Sequence, residues 1–236
     1  MIVLIMLLFS LDSFAQQLDV GWDFTVKPGT EKWNNLATEQ ERIDAVQVPE
    51  DVLENMTAEE LAITCINFPL FGDYTAFNTP QQGMNVMFDK FNFYKYVRNK
   101  KGIGKIFIKI YKDASTEGWN QYKSILDSDF WTIKLEYIEY LMAQDFVISD
   151  LDEQDKKELL IIVKDKINKK LSSDSFNSLQ GISSSYYLIA HILDTNSILQ
   201  NDNIIQDFLK TGMLTDIKVF ENIEESFKQY INKTKS

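Results

Sequence analysis

The sequence contains very few of the residues on which many binding sites and folds depend. Its 236 residues include one cysteine and one histidine. These counts exclude an internal disulfide bond, a thiolate-rich metal site and a zinc site built from histidines. Four prolines and nine glycines are few for a turn-rich β-sandwich, so the composition favours helices.

Arginine is also scarce. Arg42 and Arg98 are the only arginines, and the net charge is −11. Proteins that bind nucleic acids neutralise phosphates with basic patches and read bases with arginine, so we expect no nucleic-acid partner. The densest basic run, residues 98–101, is predicted to be a solvated turn between two helices rather than a phosphate site.

The first fifteen residues resemble an export signal. Residues 1–9 are all apolar, and Ser13-Phe14-Ala15 has the small-x-small pattern that signal peptidase accepts. We therefore predict a signal peptide over residues 1–15 and a mature chain that starts at Gln16. Because no basic residue precedes Lys27, we expect the true start codon to lie upstream of Met1.

The same pattern defines the expected location. No cysteine lies near the predicted cleavage site, which excludes a lipoprotein anchor. No later stretch is apolar over the roughly 20 residues that a membrane span needs, so we expect no transmembrane segment in the mature chain. The protein is predicted to be exported, to the periplasm or the exterior.

Apolar residues recur at helical spacing along most of the mature chain. Thr38 and Thr57 are each followed by glutamate three residues later, which is the pattern of a capping box at a helix start. Period-two alternation is nearly absent, so no significant sheet is expected. We predict an all-α fold with about nine helices, either an irregular multi-helix bundle or a short stack of antiparallel helix pairs. Residues 16–37 are predicted to be an extended lead-in, and residues 38–236 a single helical domain.

Candidate catalytic residues are few. His191 and Asp194 lie three apart and could form a general-base pair, although a structural histidine is the favoured interpretation. Glu136 and Glu139 could act as paired carboxylates, but acid pairs usually face each other from separate elements. A solvated helix face is favoured for them. Cys65 falls on an apolar helix face, which predicts an inert core thiol.

An acidic run resembles the start of a calcium loop. It consists of Asp150, Asp152, Glu153 and Asp155, but Asp155 replaces the glycine that the loop requires. Carboxylates are favourable at a helix N-terminus, and we prefer that interpretation. We expect neither a metal nor any other cofactor.

The segment 68–83 is unusual because its aromatic residues are spaced three apart in a stretch that contains Pro69, Gly72 and Pro80. Aromatic residues in a loop can form a binding platform, or they can pack over the core. We expect Phe68 to be drawn into the core next to Cys65. If the segment binds a partner, the candidate residues are Phe71, Tyr74, Phe77, Gln81 and Gln82.

Several stretches together resemble secreted helical proteins of Bacteroides-type bacteria. They are residues 13–16, 48–53, 56–61 and 68–72. The resemblance covers most of the mature chain and implies an exported helical protein. It implies no activity, cofactor or site residue.

Two functions remain open from the sequence. The first is a non-catalytic binding or scaffolding protein whose partner is an unknown protein, peptide or glycan. The alternative is a hydrolytic enzyme of an unrecognised helical class, which would use carboxylates or the His191–Asp194 pair.

Overall fold

The fold was taken from a computed structural model, which describes residues 21–114, 128–172, 179–199 and 202–233. These residues form thirteen α-helices and one 3₁₀ helix, and they contain no strand. The predicted all-α class is confirmed. The prediction of about nine helices is wrong. Several helices have only four to seven residues, which is too short for an apolar pattern to repeat along them.

The N-terminal half contains seven α-helices and the 3₁₀ helix η1. Their bounds are α1 (Glu31–Asn34), α2 (Glu39–Ala45), α3 (Glu50–Asn55), α4 (Ala58–Asn67), η1 (Phe71–Ala76), α5 (Pro80–Lys90), α6 (Phe93–Asn99) and α7 (Ile103–Asp113).

The C-terminal half contains the longer helices. Their bounds are α8 (Ser128–Met142), α9 (Asp145–Ile148), α10 (Glu153–Leu171), α11 (Leu179–Thr195), α12 (Asn203–Thr211) and α13 (Lys218–Lys233). None of the helices in the described ranges combines the length and the apolar character that crossing a membrane requires.

The two predicted N-terminal segments are the signal peptide and the extended lead-in. Residues 1–15 lie outside the described residues, so the signal peptide and its cleavage site stay predictions. The lead-in is described from residue 21 onward and is not extended throughout, since α1 lies within it. This short helix forms because the Thr30 side chain accepts a hydrogen bond from the backbone N–H of Trp33.

Capping side chains explain where the main helices begin. Both predicted capping boxes are present, from Thr38 to Glu41 and from Thr57 to Glu60. Asp152 caps α10 in the same way, because its carboxylate accepts the backbone N–H of Asp155 at 2.9 Å. Asp152, Glu153 and Asp155 therefore belong to the N-terminus of α10, as we predicted. Asp150 instead accepts the backbone N–H groups of Gly102 and Gly104 at the start of α7.

Helix α11 lies at the centre of the fold. Every residue from 181 to 190 is buried, and the helix packs against α8 on one side and α10 on another. Helix α10 is less enclosed, since Ile161 and Leu171 remain about half exposed at 53% and 51%. The central layer is therefore α8 and α11, and α10 covers it.

A glycine allows α5 to approach η1 closely. A Cβ atom on Gly83 would lie 2.2 Å from the carbonyl oxygen of Tyr74, which is far inside van der Waals contact. The absence of a side chain at this position lets the first turn of α5 pack directly on η1. Gln81, in that first turn, is thereby placed beside the central helices.

Candidate functional site

The aromatic residues of the 68–83 segment are mostly buried. Phe68 lies in the core, as predicted, but Phe71 and Tyr74 are also buried, at 5% and 2% exposure. Of the two alternatives left open by the sequence, packing over the core is therefore the one that holds for Phe71 and Tyr74. A spacing of three brings side chains into line along a 3₁₀ helix, so η1 turns Phe71 and Tyr74 inward onto Tyr137 of α8.

The remaining three candidates lie at or near the surface. Phe77 follows η1 and is 36% exposed. Gln82 is exposed, and its backbone N–H donates to the Thr79 hydroxyl at 3.1 Å as part of the helix cap. Gln81 is half-buried and lines a cavity. Gln81 is therefore the one of the five predicted residues that lines this cavity.

This cavity has a volume of about 360 Å³. It lies where α5, α6, α9, α11 and α12 converge, beside the turn that joins α8 to α9. Its walls carry aromatic rings, side-chain amides and five ionisable groups. A concave, partly apolar pocket with a few polar groups is the usual form of a small-molecule site.

Two glutamines form one wall of the cavity. Gln81 and Gln144 pair through both amides, with each Nε2 donating to the other Oε1 at 3.1 Å. The Gln144 amide also donates to the Tyr140 carbonyl at 2.7 Å, and the Gln81 amide donates to Asn85 at 2.9 Å. These bonds fix the orientation of both amides, so the wall is rigid.

Tyr187 and His191 form the floor and hold the end of α12. The Tyr187 hydroxyl lies 2.8 Å from Gln81 Oε1 and 3.0 Å from the Leu209 carbonyl oxygen, and His191 Nε2 lies 3.1 Å from that same oxygen. The last carbonyls of a helix have no partner within the helix. Leu209 lies in the last turn of α12, so the two side chains supply partners that the helix cannot.

The chemistry of this contact sets the protonation of His191. A carbonyl oxygen only accepts hydrogen bonds, so Nε2 carries the proton. Burial lowers the pKa of His191 below its ordinary value, while the Leu209 carbonyl and the Asp145 carboxylate oppose this shift. The ring is therefore neutral at pH 7, and Nδ1 is an unprotonated acceptor.

Nδ1 of His191 is reached by solvent. Within the described ranges, no buried side-chain nitrogen or oxygen lacks a hydrogen-bond partner. Nδ1 has no partner in those ranges, so it is not buried. Since His191 lines the cavity, Nδ1 is available to accept a hydrogen bond from a ligand.

Charged side chains stand around the rim. Arg98 and Lys210 carry positive charge, Asp145 carries negative charge, and all three are exposed. The Arg98 guanidinium lies 5.1 Å from the centre of the Phe88 ring, and its ion pair with Asp89 is long, at 3.9 Å. The cavity thus presents charges of both signs above an aromatic wall.

A second polar cluster lies away from the cavity, in the core. Glu139 of α8 is fully buried and pairs with Lys170 of α10 at 2.7 Å. It also accepts hydrogen bonds from Tyr111 of α7 at 2.6 Å, from Ser185 of α11 at 2.8 Å and from Ser184. One carboxylate therefore joins four helices.

This burial corrects the interpretation of Glu136 and Glu139 as a solvated helix face. Glu139 follows Leu135 by four residues on α8, and Lys170 follows Ile167 by three on α10, so both lie on apolar faces. That spacing is the signal from which the sequence could have predicted the pair. The missing information was that the two helices face each other.

Three further ionisable groups are wholly or partly buried. Burial raises the pKa of Glu136 to about 7, and Glu136 accepts a hydrogen bond from the Tyr74 hydroxyl at 3.3 Å. Burial lowers the pKa of Lys134 and of Lys166 to about 8. Lys166 donates to the carbonyl oxygen of Ala114. None of the three lines the cavity.

The alternative of a His191–Asp194 general-base pair is not formed, and the favoured interpretation of a structural histidine holds. Asp194 is exposed, and His191 is bonded to the Leu209 carbonyl instead. Cys65 is fully buried, and burial raises the pKa of its thiol well above the ordinary value, which confirms the predicted core role. In the part of the chain that the structure describes, no cluster of three or more acidic, histidine or cysteine side chains is arranged to hold a metal ion.

Comparison with known proteins gives no match: no family model, no curated protein and no solved structure is significantly similar to the chain. A function can therefore be inferred only from the geometry of this chain.

Proposed function

We propose that the protein is an exported, non-catalytic binding protein that takes a small polar ligand in the cavity between α5, α9, α11 and α12. The observation that carries the proposal is the cavity itself, with its paired amides Gln81 and Gln144 held rigid beside Tyr187 and His191. A site whose polar groups are already oriented binds without the entropic cost of ordering them.

The arrangement favours binding over hydrolysis. The Nε2 proton of His191 is committed to the Leu209 carbonyl, and Asp194 does not orient the ring. The Glu139 cluster, which contains the serine and lysine hydrogen bonds, is fully buried and does not line the cavity. This cluster is thus separated from the place where a ligand fits.

Export enters the proposal from the sequence. The apolar run and Ser13-Phe14-Ala15 predict a secreted chain, and the cavity has the size that suits a small solute.

A pair of tryptophan substitutions tests the cavity. Asn85 is exposed and lines it, so Asn85→Trp fills the space, whereas Val86 is exposed on the same helix and does not line it. Val86→Trp is therefore the matched control. The measurement is the rise in melting temperature caused by a panel of free amino acids, sugars and nucleosides, since a ligand that binds only the folded state raises it.

We expect at least one class of compound to raise the melting temperature of the wild type and of Val86→Trp, and not that of Asn85→Trp. A rise that persists in Asn85→Trp would place the ligand elsewhere. No rise with any class would contradict a small-molecule function.

A further inference from the structure

The charges around the cavity have no strong partners of their own. Among the described residues, neither Asp145 nor Lys210 forms an ion pair within 4.0 Å, and the only ion pair of Arg98 is the long one to Asp89. All three therefore remain able to pair with charges on a ligand. Two cations and one anion around a single cavity match a ligand that carries both signs.

The anionic side of the cavity is also its hydrogen-bond-accepting side. Burial is the main cause of the raised pKa of Tyr187, and the Asp145 carboxylate adds to it. The same carboxylate opposes the lowering of the His191 pKa by burial, so its charge lies close to both rings. His191 Nδ1 is an acceptor at the same floor. A carboxylate beside a neutral imidazole acceptor suits an ammonium group, which has three donors and no acceptor.

Aromatic rings complete the lining. Phe88 and Phe146 lie edge to face with ring centres 5.8 Å apart, and Tyr187 lies 4.4 Å from the ring of His191. The Arg98 guanidinium is stacked on Phe88, so a carboxylate bound by Arg98 would lie next to this apolar wall. A ligand whose carboxylate and ammonium flank an apolar side chain meets each of these features.

We propose that the cavity binds a free α-amino acid with an aromatic or large apolar side chain, in its zwitterionic form. This inference rests on the proposed function and names its ligand class. The ligand carboxylate pairs with Arg98 and Lys210, its ammonium group donates to Asp145 and His191 Nδ1, and its side chain packs on the aromatic wall. The volume of about 360 Å³ lies near the lower end of small-molecule sites, which run from about 300 Å³ upward.

Other ligands would leave part of the site unused. A neutral sugar would satisfy the acceptors and the rings but would leave both cations without a partner. The end of a long peptide chain brings only one of the two terminal charges. These alternatives are outcomes of the test below.

The test is calorimetric titration of the full chain with L-phenylalanine and two derivatives. N-acetyl-L-phenylalanine lacks the ammonium charge, and L-phenylalanine amide lacks the carboxylate. We expect L-phenylalanine to bind and each derivative to bind about tenfold or more weakly, as is typical for the loss of a charged hydrogen bond.

Substitutions then assign each charge. Asp145→Asn should remove most of the preference for L-phenylalanine over its N-acetyl derivative, and Lys210→Gln should reduce the preference over the amide. Asp194→Asn is the matched control, because Asp194 is an exposed carboxylate on α11 that does not line the cavity. The preference is a ratio of two affinities in one variant, so it does not depend on a general loss of stability.

Equal affinity for L-phenylalanine and both derivatives would overturn the proposal that the cavity recognises a zwitterionic ligand. If sugars or nucleosides bind in a manner blocked by Asn85→Trp while amino acids do not, the binding function stands and this inference falls. If no probe binds, both fall.

Discussion

At the scale of single residues, the largest departure from the sequence-based expectation is Glu139. Helical spacing places it on an apolar face of α8, but an isolated glutamate on such a face would be too costly to bury. What makes burial possible is Lys170, together with hydroxyl donors from Tyr111 and Ser185. These partners come from three other helices, so no local pattern predicts them.

Removing one partner of this buried pair is expected to destabilise the protein strongly. We predict that Glu139→Gln and Lys170→Met each lower the free energy of unfolding by about 3–5 kcal/mol, because each leaves the other partner buried without its opposite charge. The double variant should cost clearly less than the sum of the two.

Urea denaturation of the two single variants and the double variant measures this coupling. Lys169→Met is the matched control, since Lys169 is exposed and its ion pair with Asp165 lies on the surface; we expect a change within about 1 kcal/mol. If the double variant loses the sum of the two single losses in free energy of unfolding, Glu139 and Lys170 are not coupled, and the account of this buried ion pair is contradicted.

Glu136 gives a dependence of stability on pH. Its pKa of about 7 in the folded state lies above the ordinary value of 4.5, so the folded protein retains this proton when the unfolded chain has lost it. The stabilisation is fully present below pH 4.5 and is lost as the pH rises to about 7. The loss is at most about 3 kcal/mol, because the carboxyl is partly hydrated.

The uncharged variant Glu136→Gln isolates this contribution. Relative to wild type, it should gain stability steadily between pH 4.5 and 7 and stay level above that range, when unfolding is followed in urea at each pH. Glu221→Gln, at an exposed position on α13, should show no such gain. Parallel curves for wild type and Glu136→Gln would show that the carboxyl is not protonated in the folded state.

At the scale of elements, the sequence predicted helix starts well and short helices poorly. Thr38, Thr57 and Asp152 predict the helices that follow them, because a helix cap involves only residues within three positions of each other. Helices such as α9, with four residues, are held by tertiary packing and have no such signature. In the segment 68–83 the aromatic spacing of three was visible, but the sequence predicted neither the 3₁₀ helix η1 nor which of its residues are buried.

The paired variants Tyr74→Ala and Phe77→Ala separate the buried face of η1 from its exposed end. Tyr74 is buried against Tyr137 and Tyr140, so its truncation should cost about 3–5 kcal/mol of stability. Phe77 is exposed, and its truncation should cost less than about 1 kcal/mol. Thermal and urea denaturation measure both; similar losses in the two variants would contradict the described orientation of η1.

At the scale of the whole molecule, the cavity exists because five separate helices end or cross at one place. Gly83 brings α5 against η1, and the left-handed Gly212, with φ of 73°, ends α12 beside Tyr140 and Tyr187. The sequence pointed to Gln81 as a candidate but could not group it with Gln144, Tyr187 and His191. These three residues lie 63 to 110 positions after Gln81 along the chain, and only the packing of the helices brings them to it.

His191 makes the central claim directly measurable, because it is the only histidine in the chain and its proton NMR signals need no further assignment. Its ring lies on the cavity floor. A compound that raises the melting temperature should shift the His191 Hε1 signal progressively to saturation in the wild type and in Val86→Trp, and leave it unchanged in Asn85→Trp. A compound that stabilises the wild type while the His191 signal stays fixed would show that the ligand does not bind in this cavity.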